Sequence, residues 1–312
     1  KKPFMEKRDA EQVGQLVMKR MKSGENYTVT LDDNGGSGGS GTITATYGSP
    51  MPVITLPTRT GYTFNGYWTG KTTQSTQYYD ENGNSLKNWD KAGNTTTLYA
   101  LWTANTNTPY VVKHYKEQLD GKYPEEADDT DNLTGTTASS VTPAVKSYEG
   151  FTAPSTQTVS IAADGSTVVT YQYTRNSYNL SWNVNEGDAL TGEYTSGNVK
   201  YEAAITQPNT PTRTGYTFTG WSPAEIPATM PANNLEFIAQ WTAIHTITWI
   251  VNGSQAEGDP TISVVNGQTI TTLPTTPDVD CNGKVFVGWT TAEIVGETAT
   301  IPVPLYTELG NF

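Results

Sequence analysis

Histidine, cysteine and clustered acidic residues are the side chains of this sequence whose types suit catalysis or metal binding. The two histidines, His114 and His245, lie in separate segments of strand-like alternation, where a structural histidine is the ordinary occupant. Cys281 is the only cysteine, which excludes an intrachain disulfide and a cysteine-based metal site. We therefore expect no histidine-based triad and no zinc site, and we predict no catalytic residue, no metal ligand and no cofactor.

Two polar stretches suit ion or phosphate binding by composition alone. Glu125–Asp131 is the densest acidic run, and it is either a solvated loop or a calcium ligand set. It lacks the spacing of the calcium-binding loop, so we favour the solvated loop. Leu31–Gly41 is rich in glycine but lacks the Gly-Lys-Ser/Thr ending of a phosphate-binding loop, and its composition predicts a flexible hairpin loop.

Charge and hydropathy narrow the classes of partner. The 312 residues carry a formal net charge of −12. Nucleic acids and anionic lipid surfaces bind basic patches and repel a protein with such a net negative charge. We therefore expect no nucleic-acid partner. No run of about 18 apolar residues occurs, so we expect no membrane insertion within this chain. Residues 1–25 are basic, with apolar residues at helical spacing, and they predict a short N-terminal helix.

The octapeptide PTRTGYTF occurs twice, at Pro57–Phe64 and at Pro211–Phe218. An alternating segment precedes each copy and a closing segment follows it: YTVTL and LYALWT for the first, YNLSW and FIAQWT for the second. A third, divergent copy opens at His245 and contains KVFVGWT. Matches at both ends and in the middle define an internal repeat.

The repeat is built mainly from strands. Its opening and closing segments alternate with period two, which is the pattern of half-buried strands. We expect Phe64 to face the core, and we expect Gly66 to bend the strand so that the next aromatic residue re-enters the core. Ser85–Asp90 predicts one short helical turn with Trp89 facing inward, whereas Met230–Asn234 predicts a loop.

Aromatic residues are numerous, with 33 Phe, Trp and Tyr in the chain. Each can bury roughly 150–250 Å², so we expect most of them to build the cores of small units. The alternative for an exposed ring is stacking on a sugar. Tyr67 and Trp68 are the candidate glycan-stacking residues, since neighbours on a strand point to opposite faces, and Trp68 is the better candidate.

The opening strands, PTRTGYTFNGYW, PTRTGYTFTGW and LYALWT together resemble the Listeria–Bacteroides repeat, the B-repeat of internalin-type surface proteins. Family members resemble ubiquitin in fold. The resemblance therefore implies an α+β, mainly β chain of small β-grasp modules in an elongated tandem array. It implies such modules at residues 26–104, 177–243 and 244–312, and an extracellular or bacterial cell-surface location.

Residues 109–176 lie between the first two copies and lack the octapeptide. The order of YVVKHY, LTGTTASSVTP, YEGF and VVTYQYTRN resembles the mucin-binding-protein (MucBP-like) modules of bacterial adhesins. This resemblance implies another β-grasp-like module, and host mucin, a glycan or a host surface protein as the partner. The connections between modules are short, which favours a semi-rigid rod.

The last module, 244–312, ends at ELGNF without a closing strand like LYALWT. A sheet without its last strand leaves backbone groups unpaired, so we predict that the natural protein continues beyond Phe312. The leading hypothesis is a non-catalytic, monomeric stalk or spacer of a bacterial surface protein. The alternative is an adhesin segment that binds mucin or host glycans through residues 109–176, and an enzyme ranks third.

Overall fold

The structure is a computed structural model that describes residues 24–93, 96–251, 254–255 and 261–268. These residues form strands, turns and loops but no α-helix, so the prediction of a mainly β chain is confirmed for this part of the protein. The predicted N-terminal helix, most of the predicted last module and Cys281 lie outside the described residues. The chain divides into two compact units between Thr174 and Arg175.

The first sheet has five strands in the order β2-β1-β5-β3-β4. They are β1 (Asn26–Asp32), β2 (Thr42–Thr46), β3 (Tyr62–Trp68), β4 (Gln77–Tyr79) and β5 (Thr96–Ala104). Burial in β1 alternates strictly, with Val29 and Leu31 in the core, as the YTVTL pattern predicts. β1 pairs with β5 in parallel, so the first and last strands of this sheet are neighbours. Loop residues Met51 and Trp89 pack against its inner face.

The predicted helical turn at Ser85–Asp90 is wrong, although Trp89 is fully buried as predicted. The segment forms isolated bridges and a bend instead of a helix, and two of its polar side chains bond to the neighbouring loop at residues 48–51. The hydroxyl of Ser85 accepts the backbone N–H of Met51 at 2.8 Å, and the Asn88 amide donates to the carbonyl of Gly48 at 2.8 Å. Trp89 therefore lies on a loop and not on a helix, and its side chain packs into the core of the first sheet.

The second sheet has four strands in the order β7-β6-β11-β9, and β8 pairs with β10 beside it. The strands are β6 (Thr108–Lys116), β7 (Asp129–Gly135), β8 (Ser140–Val141), β9 (Phe151–Thr152), β10 (Val159–Ser160) and β11 (Val168–Arg175). Again the first and last long strands, β6 and β11, pair in parallel. The core comprises buried residues of both strands, such as Val112 and Tyr171, and Ile161, which directly follows β10.

The third sheet has the path β13-β12-β15-β14, and β18 also pairs with β15. The strands are β12 (Ser177–Asn183), β13 (Gly197–Lys200), β14 (Tyr216–Ser222), β15 (Leu235–Ile247), β16 (Ile250–Val251), β17 (Ser254–Gln255) and β18 (Ile262–Val265). β12 and β15 pair in parallel, while β16 and β17 form a separate pair. Residues 230–234 form a loop, as predicted, and place buried Met230 in this core.

Candidate functional site

A connected network of polar side chains lies in the second sheet, around His114. The alternation of β6 turns His114 into the core, where its side chain is fully buried. Its Nδ1 is 2.8 Å from the hydroxyl of Tyr173 on β11, and its Nε2 is 3.3 Å from Asp131 on β7. Both ring nitrogens therefore have partners, which is the structural role predicted for this histidine.

Lys146 links this network to the edge of the sheet. Its Nζ donates to Asp129 Oδ2 at 2.6 Å and to Asp131 Oδ1 at 2.7 Å. The side chains of all three residues are about one third to one half exposed. The hydrogen bonds from Lys146 are the main cause that lowers the pKa of both carboxyl groups, and the two carboxylates raise the pKa of Lys146. Lys146 is therefore held as an ammonium, which is a salt-bridge donor and a poor nucleophile.

Aromatic rings cover the network. The ring of Tyr148 packs edge-on against Tyr173, with centroids 4.8 Å apart, and its hydroxyl donates to Asp129 at 3.2 Å. Burial, followed by the charge of Asp129, raises the pKa of Tyr148 to about 12. Lys116 lies 5.4 Å above the same ring, which is a cation–π distance. These ion pairs and hydrogen bonds connect β6, β7 and β11 to the loop that contains Lys146. We call this network of His114, Asp129, Asp131, Lys146 and Tyr173 the latch.

We expect acid to weaken this latch. Asp129 and Asp131 have lowered pKa values in the folded chain, so their contribution to stability is complete above the unfolded value of about 4 and disappears as the pH falls through the folded values. Urea unfolding at several pH values, followed through the amide NMR signals of β6, measures this. At pH 7 Lys146→Met is expected to be less stable than the wild type, and the difference should shrink below about pH 4. An unchanged difference across that range would contradict the latch.

The role of Lys146 is not visible in the sequence, because Lys146 and its carboxylate partners are distant in sequence and meet only across the loop after β8. For the acidic run Glu125–Asp131 the sequence predicts a solvated loop, with a calcium site as the alternative. Its last residues lie on β7, which begins at Asp129. Within the described residues no group of three or more His, Cys, Asp or Glu side chains is arranged to hold a metal ion. His245, the other histidine, lies exposed on β15.

The structure separates the two candidate stacking residues. Tyr67 is fully buried against Phe64 and Tyr79, and its hydroxyl donates to Asp33 at 2.6 Å. Burial and that hydrogen bond raise its pKa. Its ring presents no face to a ligand in this conformation. Trp68 is partly exposed on the opposite face of β3, so glycan stacking stays a prediction that only Trp68 can fulfil here.

Asp33 also organises the glycine-rich stretch Leu31–Gly41. Its carboxylate accepts the hydroxyl of Tyr67 and the backbone N–H of Gly39 at 3.1 Å, while its backbone carbonyl accepts Nε1 of Trp102 at 3.0 Å. The loop joins the antiparallel strands β1 and β2, as the predicted hairpin requires, and these contacts hold it against β3 and β5.

The copied octapeptide forms the same corner in the first and third sheets. Arg59 lies 4.0 Å above the ring of Tyr62, and Arg213 lies 3.9 Å above the ring of Tyr216. Gly61 and Gly215 have φ values of 76° and 77°, a conformation that side chains disfavour. The copied residues therefore specify a turn with an arginine–tyrosine stack, followed by a core strand.

Asparagine fastens the neighbouring loop in both copies of this corner. Asn34 donates from its side chain to the carbonyl of Ala100 at 2.8 Å, and Asn185 donates to Ala239 at 3.0 Å. Both asparagines have positive φ, which this residue type tolerates better than most. They lie outside the octapeptide, so the shared structure extends beyond the eight copied residues.

A comparison with known protein families identifies the same repeat. The sequence model described as the Listeria-Bacteroides repeat domain matches residues 27–101, 178–239 and 245–304, more than half of the chain. This confirms the predicted repeat in all three segments. The MucBP-like assignment of residues 109–176, which lie outside the matched ranges, stays a prediction.

Two individual proteins are similar to parts of the chain. Internalin H of Listeria monocytogenes is 32% identical over 104 residues, which are 31% of this chain and 16% of Internalin H. The chain thus spans about one sixth of that relative. The solved structure of the Bacillus anthracis TIE protein matches 70% of this chain and 51% of its own at 11% identity, with a TM-score of 0.28, a likeness too weak to support any argument.

No helix in the described residues is long and apolar enough to cross a membrane.

Proposed function

The chain belongs to the Listeria-Bacteroides repeat family, and from that premise we propose that it is a non-catalytic repeat region of a bacterial cell-surface protein that acts as a stalk or spacer. The similarity to Internalin H supports this proposal, although the chain spans only a small part of that protein. We also propose that its modules are β-grasp-like units. The parallel pairing of β1 with β5, of β6 with β11 and of β12 with β15 supports that assignment.

The observation that carries the stalk proposal is the junction between the first and second sheets, centred on Asn105. Its backbone N–H donates to the carbonyl of Gly61 at 3.0 Å, and its side chain accepts the hydroxyl of Thr63 at 2.7 Å. Its carbonyl accepts the backbone N–H of Thr137 in the following module at 2.9 Å. Gly61 also abuts that module, since a Cβ built on it would lie 2.6 Å from the carbonyl oxygen of Ala163. A spacer needs such fixed junctions to hold its length.

The same device recurs after the third sheet. Ile244 donates its backbone N–H to the carbonyl of Gly215 at 2.8 Å, as Asn105 does to Gly61. β15 then continues without interruption into pairing with β18, and Asn266 donates to the carbonyl of Ala243 at 2.9 Å. In both copies, the carbonyl of the octapeptide glycine therefore accepts a backbone hydrogen bond from the residue at which the chain leaves the module. The copied turn therefore does more than start a core strand, because it also fixes the point at which each of these modules is joined to the next segment of the chain.

We expect the first junction to be rigid in solution. Spin labels at the exposed positions Thr44 and Gln172, placed by Thr44→Cys and Gln172→Cys in a Cys281→Ser background, should give one narrow distance distribution. Gly61→Ala should broaden or shift it, because the new methyl group meets the backbone of Ala163. Pulsed electron paramagnetic resonance on the full chain measures the distribution.

Gly215→Ala is the matched control for Gly61→Ala. Gly215 occupies the same position of the octapeptide with almost the same φ, but a Cβ there meets no described atom within 4 Å. It should leave the distribution unchanged. A broad distribution in the unmodified background would contradict the spacer. Saturable binding of the chain to immobilised mucin, lost on deletion of residues 109–176, would replace the spacer with the adhesin alternative.

A further inference from the structure

In each of the three sheets the opening strand is hydrogen-bonded in parallel to a long strand that comes later in the chain. β1 pairs with β5 from Val29↔Thr96 to Asp32↔Tyr99. β6 pairs with β11 over six registered residue pairs, from Val111↔Val168 to Lys116↔Tyr173. β12 pairs with β15 over four registered pairs. Three sheets with different sequences thus share one arrangement of their terminal strands.

This arrangement fixes how a pulling force acts on each sheet. Tension in a tandem chain pulls the first strand by its N-terminal end and the last strand by its C-terminal end. In a parallel pair these two ends lie at opposite ends of the ladder, so the strands are drawn past each other along their own direction. All the ladder hydrogen bonds are then strained together, in shear. In an antiparallel terminal pair they would open one after another.

Sliding would also displace the core. The inner faces of the paired strands carry buried side chains, such as Leu31 and Leu98 in the first sheet and Leu180 and Phe237 in the third. Because side chains alternate with period two, a slip by one residue would turn the core-facing residues of the moving strand outward. The cost of a slip therefore includes the loss of apolar burial in addition to the loss of hydrogen bonds.

Little slack separates one ladder from the next. Three residues, 105–107, connect β5 to β6, and Asn176 alone connects β11 to β12. β15 enters its pairing with β18 with no break. Tension that reaches one closing strand is therefore passed almost directly to the next opening strand.

We propose that the sheets are tension-resisting elements, in which the parallel pairing of the terminal strands places each ladder in shear when the chain is pulled from its ends. This goes one step beyond the proposed stalk on which it rests, because a spacer needs only length, whereas a chain that joins two attached bodies must also survive force. Among the described residues, the second sheet has six registered pairs against four in each of the others, and we expect it to resist most.

The test is to pull the second sheet in two directions within the full chain. Handles on Asn107→Cys and Thr174→Cys load β6 and β11 in shear, since these residues lie at opposite ends of the ladder. Handles on Asn107→Cys and Val168→Cys pull the same ladder open from one end. All three positions are exposed, and Cys281→Ser removes the competing thiol. In optical tweezers we expect an unfolding force at least about threefold higher in the shear geometry, because the ladder bonds share the load.

Equal urea midpoints for the two handle variants would show that only the direction of pulling differs. Equal unfolding forces in both directions would overturn the proposal, since the ladder would then not be the barrier. That failure is distinguishable from failure of the spacer. Equal forces with a narrow spin-label distance distribution would leave a rigid spacer without shear resistance. A broad distribution with a large force ratio would leave shear-resistant sheets in a flexible chain.

Discussion

Replacing Gly66 by alanine is expected to lower the free energy of unfolding of the first sheet by about 4 kcal/mol. Gly66 has a φ of 87°, in the region that residues with a Cβ disfavour by about 1–2 kcal/mol. A Cβ built there would lie 2.1 Å from the carbonyl oxygen of Tyr79 and 2.5 Å from Nε2 of Gln77. The first contact is with backbone, so the strands β3 and β4 would have to separate.

The cost is large because Gly66 sets the register of the strand. The pairing of β3 with β5 shifts between Phe64 and Tyr67, and this bulge lets both side chains enter the core. If the bulge relaxes to accommodate a methyl group, Tyr67 loses its place and its hydrogen bond to Asp33. That bond is one of those that order the Leu31–Gly41 loop. We therefore expect the loss of stability to extend beyond β3.

Gly220→Ala is the matched control for Gly66→Ala. Gly220 holds the corresponding position of the third sheet with a positive φ of 138°, but a Cβ there meets no described atom within 4 Å. We expect a loss of about 1–2 kcal/mol, from backbone strain alone. Hydrogen exchange measured by mass spectrometry on peptides from β3 and β5, and from β14 and β15, reports each sheet separately. Equal losses at the two positions would contradict the steric explanation.

The bend at Gly66 was predictable from the sequence because a glycine between two core aromatics has few other uses in a strand. The strands of the repeat were predictable for a similar reason, since their period-two alternation matches a sheet with one buried face. The segment Ser85–Asp90 misled the prediction. Its length and polarity suit a helical turn, but its side chains bond to a loop that is distant in sequence, and local propensity carries no information about such partners.

The candidate site was predictable only at His114, whose place on a strand follows from alternation. Lys146 was not predictable, since nothing local distinguishes it from any other surface lysine. Its partners are fixed by the pairing of β6 with β7, and pairing register depends on the whole sheet. The junction at Asn105 is similar. Its sequence, TANTNTP, indicates a short linker, while the hydrogen bonds that fix it come from two different modules.

Removing the hydroxyl of Tyr173 is expected to lower the free energy of unfolding of the second sheet by about 2–4 kcal/mol. The hydroxyl is 2.8 Å from Nδ1 of His114 and accepts the backbone N–H of Lys146 at 2.8 Å. Tyr173→Phe keeps the ring, and with it the packing against Tyr148. The variant therefore isolates the two hydrogen bonds, and it leaves a buried histidine nitrogen and a backbone N–H without their partner.

Tyr115→Phe is the control for Tyr173→Phe, because Tyr115 follows His114 on β6 and its side chain lies half-buried on the opposite face. Its loss should stay within about 0.5 kcal/mol. Hydrogen exchange of the β6 and β11 peptides at neutral pH measures both variants. A loss for Tyr173→Phe no larger than the control's would mean that water or a rearranged Asp131 satisfies His114. The buried network would then not stabilise this sheet, and the parallel ladder of β6 and β11 would have to hold it without that support.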